Sequence, residues 1–396
     1  MDRARSTGQH EPMETTGQGH ATSVPTSESV TAATGATGHI GATALVSSEF
    51  APRTTYLNSA STGLLPARAV SAMHRGALSV AEGRPEDMFA DVEAARASFA
   101  RLLGVAPERV AAGASVAVYS GLVAASLPVG AEVLTAEDDF SSTVNPFHVR
   151  GDLKVRTVPL ERIAESVRPG TELVAVSAVQ SADGRVADLP ALRAAVRAHG
   201  ARLYLDASQG TGWLDLAAHM ADVDYLASVA FKWLTCPRGV AFFVVPEEAA
   251  GFGGVPPLFA GWVAGERPWD SCYGPVTELA RSARRFDESP SLFAYAGARQ
   301  SLAVIEELGV AAIRAHDLAL ADRFRAGLAE LGQEPVPAPG SPIVSVPGLG
   351  ARQPELSAAG IEVSDRAGNL RAAFHLYNTE ADVDALLGAL RQGGRG

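Results

Sequence analysis

Lys232 stands in the run DYLASVAFKWLTCPRGVAFFVV, between Phe231 and Trp233 and just ahead of a Pro-Arg-Gly turn. A lysine directly after a β-rich stretch and in apolar company loses part of the hydration that stabilises its ammonium. Its pKa falls and its amine becomes a nucleophile. The competing reading is a surface lysine whose stem lies on apolar neighbours while its head stays in water. Composition bears on the choice, because Lys154 and Lys232 are the only lysines among the 33 basic residues. Arginine serves wherever bare positive charge suffices, but it is never deprotonated and so cannot act as a nucleophilic amine. Lys154, in GDLKVRTV beside a strand edge, reads as an ordinary exposed lysine.

Other chemistry-bearing residues are spread along the chain. Asp206 ends the run RLYLD, and a carboxylate there either holds a proton on a heterocyclic nitrogen or caps the next turn. Gln209 follows as an amide donor or a capping glutamine. Gly113, Ala114 and Ser115 precede an apolar helical run, where free backbone N–H groups and a hydroxyl suit a phosphate, although any serine can be an N-cap. Phe140 lies in a polar loop, placed to stack on a flat ring or to anchor the core. Arg371, on a short β-like run, could clamp a carboxylate bidentately or form a surface salt bridge.

These residues need elements to position them. Candidate strands start at Val133, Val155, Leu173, Arg202, Tyr225 and Val240, with helical stretches such as Leu189 to His199 between several of them. That order implies a largely parallel sheet covered by helices, which binds ligands beyond the carboxyl ends of its strands. A helical stretch from Pro66 to Leu103 precedes it. A long amphipathic stretch from about Phe293 to Leu331 and a mixed segment from Ile343 to the helix near Ala381–Leu390 follow. Met1 to about Ser48 is Ser-, Thr-, Gly- and Ala-rich with few large apolar residues, so a disordered tail is expected.

The chain has 396 residues, 47% of them hydrophobic and 19% charged, as a large-cored globular protein does. A net charge of −11 without long basic runs argues against nucleic acid or an anionic membrane as the main partner. Two cysteines, Cys236 and Cys272, build no disulfide framework, and no zinc-like spacing or other metal set is visible. With no signal-peptide or transmembrane run, a cytoplasmic protein is expected.

Taken in order, several runs resemble the class V aminotransferase family of fold-type-I pyridoxal-phosphate enzymes. That group includes cysteine desulfurases, kynureninase-like hydrolases and isopenicillin N epimerase-like proteins. The runs are YLNSASTGLLP at Tyr56, GAS at Gly113, Phe140 to Phe147, VQSADG at Val179, LDASQGTG at Leu205, SVAFKWLTCPRG at Ser228, RRFDESPS at Arg284 and RAAFHLYNTEADV at Arg371. The pairing of DASQ with the later KWL-x-x-PRG is the most specific part. The resemblance implies an α/β fold. Behind a tail at 1–50 come a large domain at 51–290, mostly parallel sheet between helices, whose first residues could join the smaller α+β C-terminal domain at 291–396.

The resemblance also implies site roles. Lys232 would form the Schiff base with pyridoxal phosphate and then shuttle the α-proton. Asp206 would pair with the pyridinium nitrogen, Gln209 would hydrogen-bond the ring oxygen and Phe140 would stack on the ring. Ser115, the adjoining backbone at Val116, and Ser228 would hold the phosphate. Arg371, with Asn58 on the substrate side, would bind the α-carboxylate of an amino acid. Family members are usually homodimers with the site at the subunit junction, to which residues 261–289 would contribute.

Two departures narrow the reading. Phe231 stands where the family often has His, so phosphate binding must lean on other donors. The segment EVSDRAGNLR before Arg371 lacks the thiol that cysteine desulfurases need. An aminotransferase leads. A β-eliminating or C–S lyase is the alternative, followed by an epimerase or oxidative decarboxylase, and a non-catalytic cofactor-binding protein stands last.

Overall fold

The computed structural model describes residues 43–84, 87 and 89–392. Most of the expected tail, 1–42, lies outside the described residues. Residues 43–49 form a helix, α1, whose Glu49 accepts a hydrogen bond from Arg68 Nε at 2.7 Å, and Phe50 behind it is buried. The chain continues through β1 (Thr55–Tyr56), α2 (Ala67–Ala81), α3 (Phe89–Leu103), β2 (Val110–Gly113), α4 (Val116–Ala125), β3 (Glu132–Ala136) and α5 (Ser141–Val149). Next come β4 (Lys154–Val158), β5 (Thr171–Ser177), α6 (Leu189–His199), β6 (Arg202–Asp206), β7 (Tyr225–Val229) and β8 (Ala241–Val244). The last part holds α7 (Leu292–Leu308), α8 (Val310–Glu330), β9 (Ile343–Val346), α9 (Gln353–Ala358), β10 (Ile361–Glu362), β11 (Ser364–Arg366), β12 (Asn369–Ala373) and α10 (Glu380–Gln392).

The main sheet has seven strands in the order β2-β8-β7-β6-β5-β3-β4. From β4 through β7 all neighbours are parallel, while β8 runs antiparallel to both β7 and β2. All six strands expected from the sequence are present. β2 was not anticipated, because VAAG is short and has a single β-branched residue. Side chains alternate between two apolar cores. Val174, Val176, Leu203 and Leu205 face one, and Leu173, Ala175 and Tyr204 the other, as a sheet covered on both faces requires. Among the described residues no helix is long and apolar enough to cross a membrane.

Beyond the main sheet the long helical stretch divides at Gly309, whose φ of 81° ends α7 and starts α8. Tyr295 and Leu302 of α7 belong to a core of the main sheet. A third core gathers Phe324 of α8, Val344 of β9, Phe374 and Leu386 of α10 around the antiparallel sheet β11-β12-β9. β1 pairs in parallel with β10, and Leu57 enters this third core.

Candidate active site

The carboxyl ends of β3, β5, β6 and β7 converge on one cavity of about 320 Å³, the position that open α/β sheets use for ligands. Its lining includes Ser61, Ser115, Val116, Phe140, Asp206, Ser208, Lys232 and Arg371. Lys232 follows β7 within three residues and is 6% exposed. Burial lowers its amine from the usual 10.5 to about 8, against a smaller upward pull from Asp206 and with help from Arg371, Arg238 and Arg366. Its Nζ lies 5.2 Å from the centre of the Phe140 ring. The backbone there is tightly overlaid. Gly63 N–H donates to the Phe231 carbonyl at 2.8 Å, and a Cβ on Gly63 would overlap the Lys232 carbonyl oxygen.

Asp206 closes β6. Its carboxylate accepts from Thr143 Oγ1 at 2.5 Å and from Ser208 N–H at 2.9 Å, which fixes its plane while it faces the cavity. Phe140 reaches the same space because the preceding Asp139 carboxylate accepts the Ser177 N–H at 2.8 Å, tying the loop after β3 to the end of β5. Phe140 is 45% exposed, so it faces open space rather than anchoring the core. Ser115 caps α4 by accepting from Ala117 N–H at 3.2 Å, and Val116 opens that helix at the cavity wall. A hydroxyl beside a helix N-terminus is suited to a phosphate.

Arg371 projects from β12 and is 1% exposed. Its guanidinium donates to Ser364 Oγ at 3.1 Å, to Ser61 Oγ at 2.8 Å and to the Ser181 carbonyl. All three partners are neutral, and among the described residues no carboxylate pairs with it. Burial, with Arg366 nearby, pulls its pKa below the ordinary value, yet the group stays cationic at neutral pH. A buried cation without a counter-ion, open to a cavity, is a site for an anion.

Three expected contacts are arranged differently. Gln209 sits behind the cavity wall. Its Nε2 donates to the Ala60 carbonyl at 2.9 Å and to Ser181 Oγ at 3.0 Å, and its Oε1 accepts from Trp233 Nε1 at 2.7 Å. Ser228 Oγ is 2.8 Å from Thr211 Oγ1 and donates to the Val229 carbonyl, so its hydroxyl bonds within the wall. Asn58 bridges to Ala373, with its side-chain Oδ1 buried and unpartnered, and is not among the lining residues. Sequence reasoning passed over Ser61, Ser142, Ser208, Arg238 and Arg366, all of which line the cavity. The signal for Arg238 was present in the Pro-Arg-Gly turn behind the lysine. Cys236 is buried and its thiol is pushed up by that burial, while Cys272 is exposed.

This donor set fits pyridoxal phosphate: a lysine amine of lowered pKa, a fixed carboxylate, an open aromatic face and a hydroxyl at a helix N-terminus. A seven-stranded, mostly parallel sheet carrying these groups at its carboxyl edge defines a fold-type-I pyridoxal-phosphate enzyme. The aminotransferase class-V family model matches residues 55–347, and the chain belongs to that family. It is an enzyme of the transferase or lyase type. It is 28% identical over 309 residues to the uncharacterized aminotransferase YcbU of Bacillus subtilis, covering 74% of this chain and 80% of that protein. It is 29% identical over 386 residues to isopenicillin N epimerase of Streptomyces clavuligerus, covering 86% and 94%. The apo structure of a cysteine desulfurase from Thermococcus onnurineus superposes with a TM-score of 0.74 at 22% identity, over 86% of this chain and 94% of that one, and so shares the fold.

Proposed function

We propose that this chain is an aminotransferase acting at the α-carbon of an amino acid, with Lys232 as its catalytic residue. The observation that carries the proposal is Arg371, a buried guanidinium with only neutral partners that opens onto the same cavity as Lys232. When bound, the cofactor supplies an aldehyde carbon that links to amines and a ring that withdraws electrons from the bonds at the α-carbon. Lys232, largely neutral above about pH 8, would join that aldehyde carbon with loss of water and, once a substrate amine displaced it, would take and return the α-proton. Asp206 would hold a proton on the ring nitrogen. Phe140 would cover one ring face, and Ser115 with the α4 backbone at Val116 would hold the phosphate. Arg371 orients the substrate by its carboxylate. The family and the likeness to YcbU support amino transfer.

The likeness to isopenicillin N epimerase along nearly its whole length favours epimerisation as the second reading. Both readings use the same α-proton removal by Lys232 and differ in where the proton returns. A lyase reading needs the same first step. A desulfurase is disfavoured, because the β11–β12 hairpin before Arg371 carries no cysteine and Cys236 is buried in the wall. We further propose a cytoplasmic homodimer that takes small-molecule substrates. Its contact face holds Leu258, Phe259, Trp269 and Tyr273, which are all exposed.

A panel of amino acids given to the purified enzyme with and without a keto-acid acceptor tests the assignment. Keto product that depends on the acceptor is expected. Ammonia, sulfide or a thiol released without an acceptor would replace amino transfer by elimination. Inversion at Cα without an acceptor would replace it by epimerisation. Borohydride treatment should fix the cofactor to Lys232, leaving Lys154 unlabelled.

A further inference from the structure

Assigning Arg371 to an α-carboxylate leaves two more arginines at the same cavity without an anion. Arg366 Nη2 donates to Ser61 Oγ at 2.8 Å, the same oxygen that accepts from Arg371 Nη2 at 2.8 Å. Arg238 Nη2 donates to Thr62 Oγ1 at 2.7 Å, one residue further on, and its guanidinium lies 4.2 Å from the centre of the Phe231 ring. Two adjacent hydroxyls of one loop therefore hold three guanidiniums. The remaining side-chain donation of Arg366 goes to the Asp365 carbonyl. Among the described residues no carboxylate forms an ion pair with any of the three.

Like charges gathered around neutral oxygens repel one another, and the arrangement becomes favourable when an anion sits between them. Asp206 is the single carboxylate among the lining residues, and Thr143 and Ser208 already occupy it. The positions also fit a ligand longer than a single carboxylate. Arg371 and Arg366 belong to the two strands of the β11–β12 hairpin in the three-stranded sheet, whereas Arg238 comes from the turn behind Lys232 on the main sheet. Arg371 is buried at the inner end, and the other two are exposed nearer solvent.

Resting on the assignment of the α-carboxylate to Arg371, we propose that Arg238 and Arg366 form a second acid-binding subsite. The substrate class is then an amino acid whose side chain ends in a carboxylate. Its α-carboxylate lies on Arg371, and its far carboxylate lies between the main-sheet turn and the hairpin. Arg371 sets the reacting carbon beside Lys232, and the outer pair selects by side chain.

Calorimetric titration of the holoenzyme with glutarate and with pentanoate tests this without requiring turnover. Both acids have five carbons and differ in the second carboxylate. Glutarate should bind at least about tenfold more tightly, and in the Arg238→Gln, Arg366→Gln double variant the ratio should fall to about two- or threefold. Equal affinities in the wild type would overturn the second subsite alone and leave Arg371 in place. Binding of neither acid would overturn it together with the Arg371 assignment. A double variant that keeps the preference, or that loses cofactor instead of discrimination, also overturns it. An enzyme that prefers glutarate yet releases ammonia without an acceptor would sink amino transfer and leave this subsite standing.

Discussion

At the residue scale, the Lys232 amine is kept reactive by its surroundings. Burial costs the ammonium its hydration, and three nearby guanidiniums add to the effect, so the pKa falls to about 8 despite Asp206. A lowered lysine pKa places the neutral, nucleophilic form above about pH 8 instead of above 10.5. In the cofactor-free protein, the rate of pyridoxal-phosphate capture followed by absorbance should therefore rise with pH and level off past an inflection near 8. An inflection at the ordinary lysine value would mean the amine sits in water. Arg371 gives the second residue-scale expectation. A buried guanidinium–carboxylate contact is worth about 2–5 kcal/mol when one partner is truncated. Arg371→Ala should thus reduce kcat/KM about thirtyfold or more while cofactor content, read from the visible band, persists. Arg371→Lys should recover only part, since an ammonium cannot hold a carboxylate bidentately.

At the element scale, the strand ends set where side chains point, and a chain of buried hydrogen bonds holds the turn that carries Lys232. Trp233, the next residue, donates from Nε1 to Gln209 Oε1 at 2.7 Å, and its carbonyl accepts from His375 Nε2 at 2.9 Å. His375 Nδ1 pairs in turn with Asp317 Oδ2 of α8 at 3.0 Å, and neither side chain is exposed. His375 and Asp317 of α8 thereby brace the lysine turn from behind. Asp317→Ala leaves a buried imidazole nitrogen unpaired and should cost about 3 kcal/mol, read as a lower urea midpoint, with a fall in cofactor affinity. An unchanged midpoint would show that the network bears no stability. DASQ was legible as a site motif because a carboxylate ended a β-rich run. The role of Gln209 was not, since its partner Trp233 and the brace from His375 are supplied by distant parts of the chain. Ser228 lies one residue before the end of β7, and the hydroxyl it shares a hydrogen bond with, that of Thr211, is likewise supplied from elsewhere in the chain.

At the scale of the whole molecule, the six strands were readable because strands buried on both sheet faces appear as short, nearly continuous runs of apolar and β-branched residues. The order of those strands, the antiparallel pairing of β8 and the insertion of β2 depend on long-range pairing that no local pattern carries. The same limit applies to surfaces. Residues 258–273 leave Leu258, Phe259, Trp269 and Tyr273 exposed, and Tyr273 is 95% exposed. The Trp269 ring packs 5.0 Å from Trp262 and 6.2 Å from Phe89, forming an aromatic cluster with one edge open to solvent. An aromatic cluster with an open edge suits an interaction face, and here a second copy of the chain is the proposed occupant. Large aromatic residues at the centre of such faces carry about 2 kcal/mol or more of the binding energy, roughly thirtyfold in affinity. Trp269→Asp should weaken self-association by at least that factor in sedimentation velocity over a concentration series. Because Trp269 is 74% exposed, the folded subunit should keep its far-UV spectrum. A wild-type protein that sediments as a monomer at micromolar concentration would remove the dimer, and with it any share of residues 261–289 in a neighbouring site.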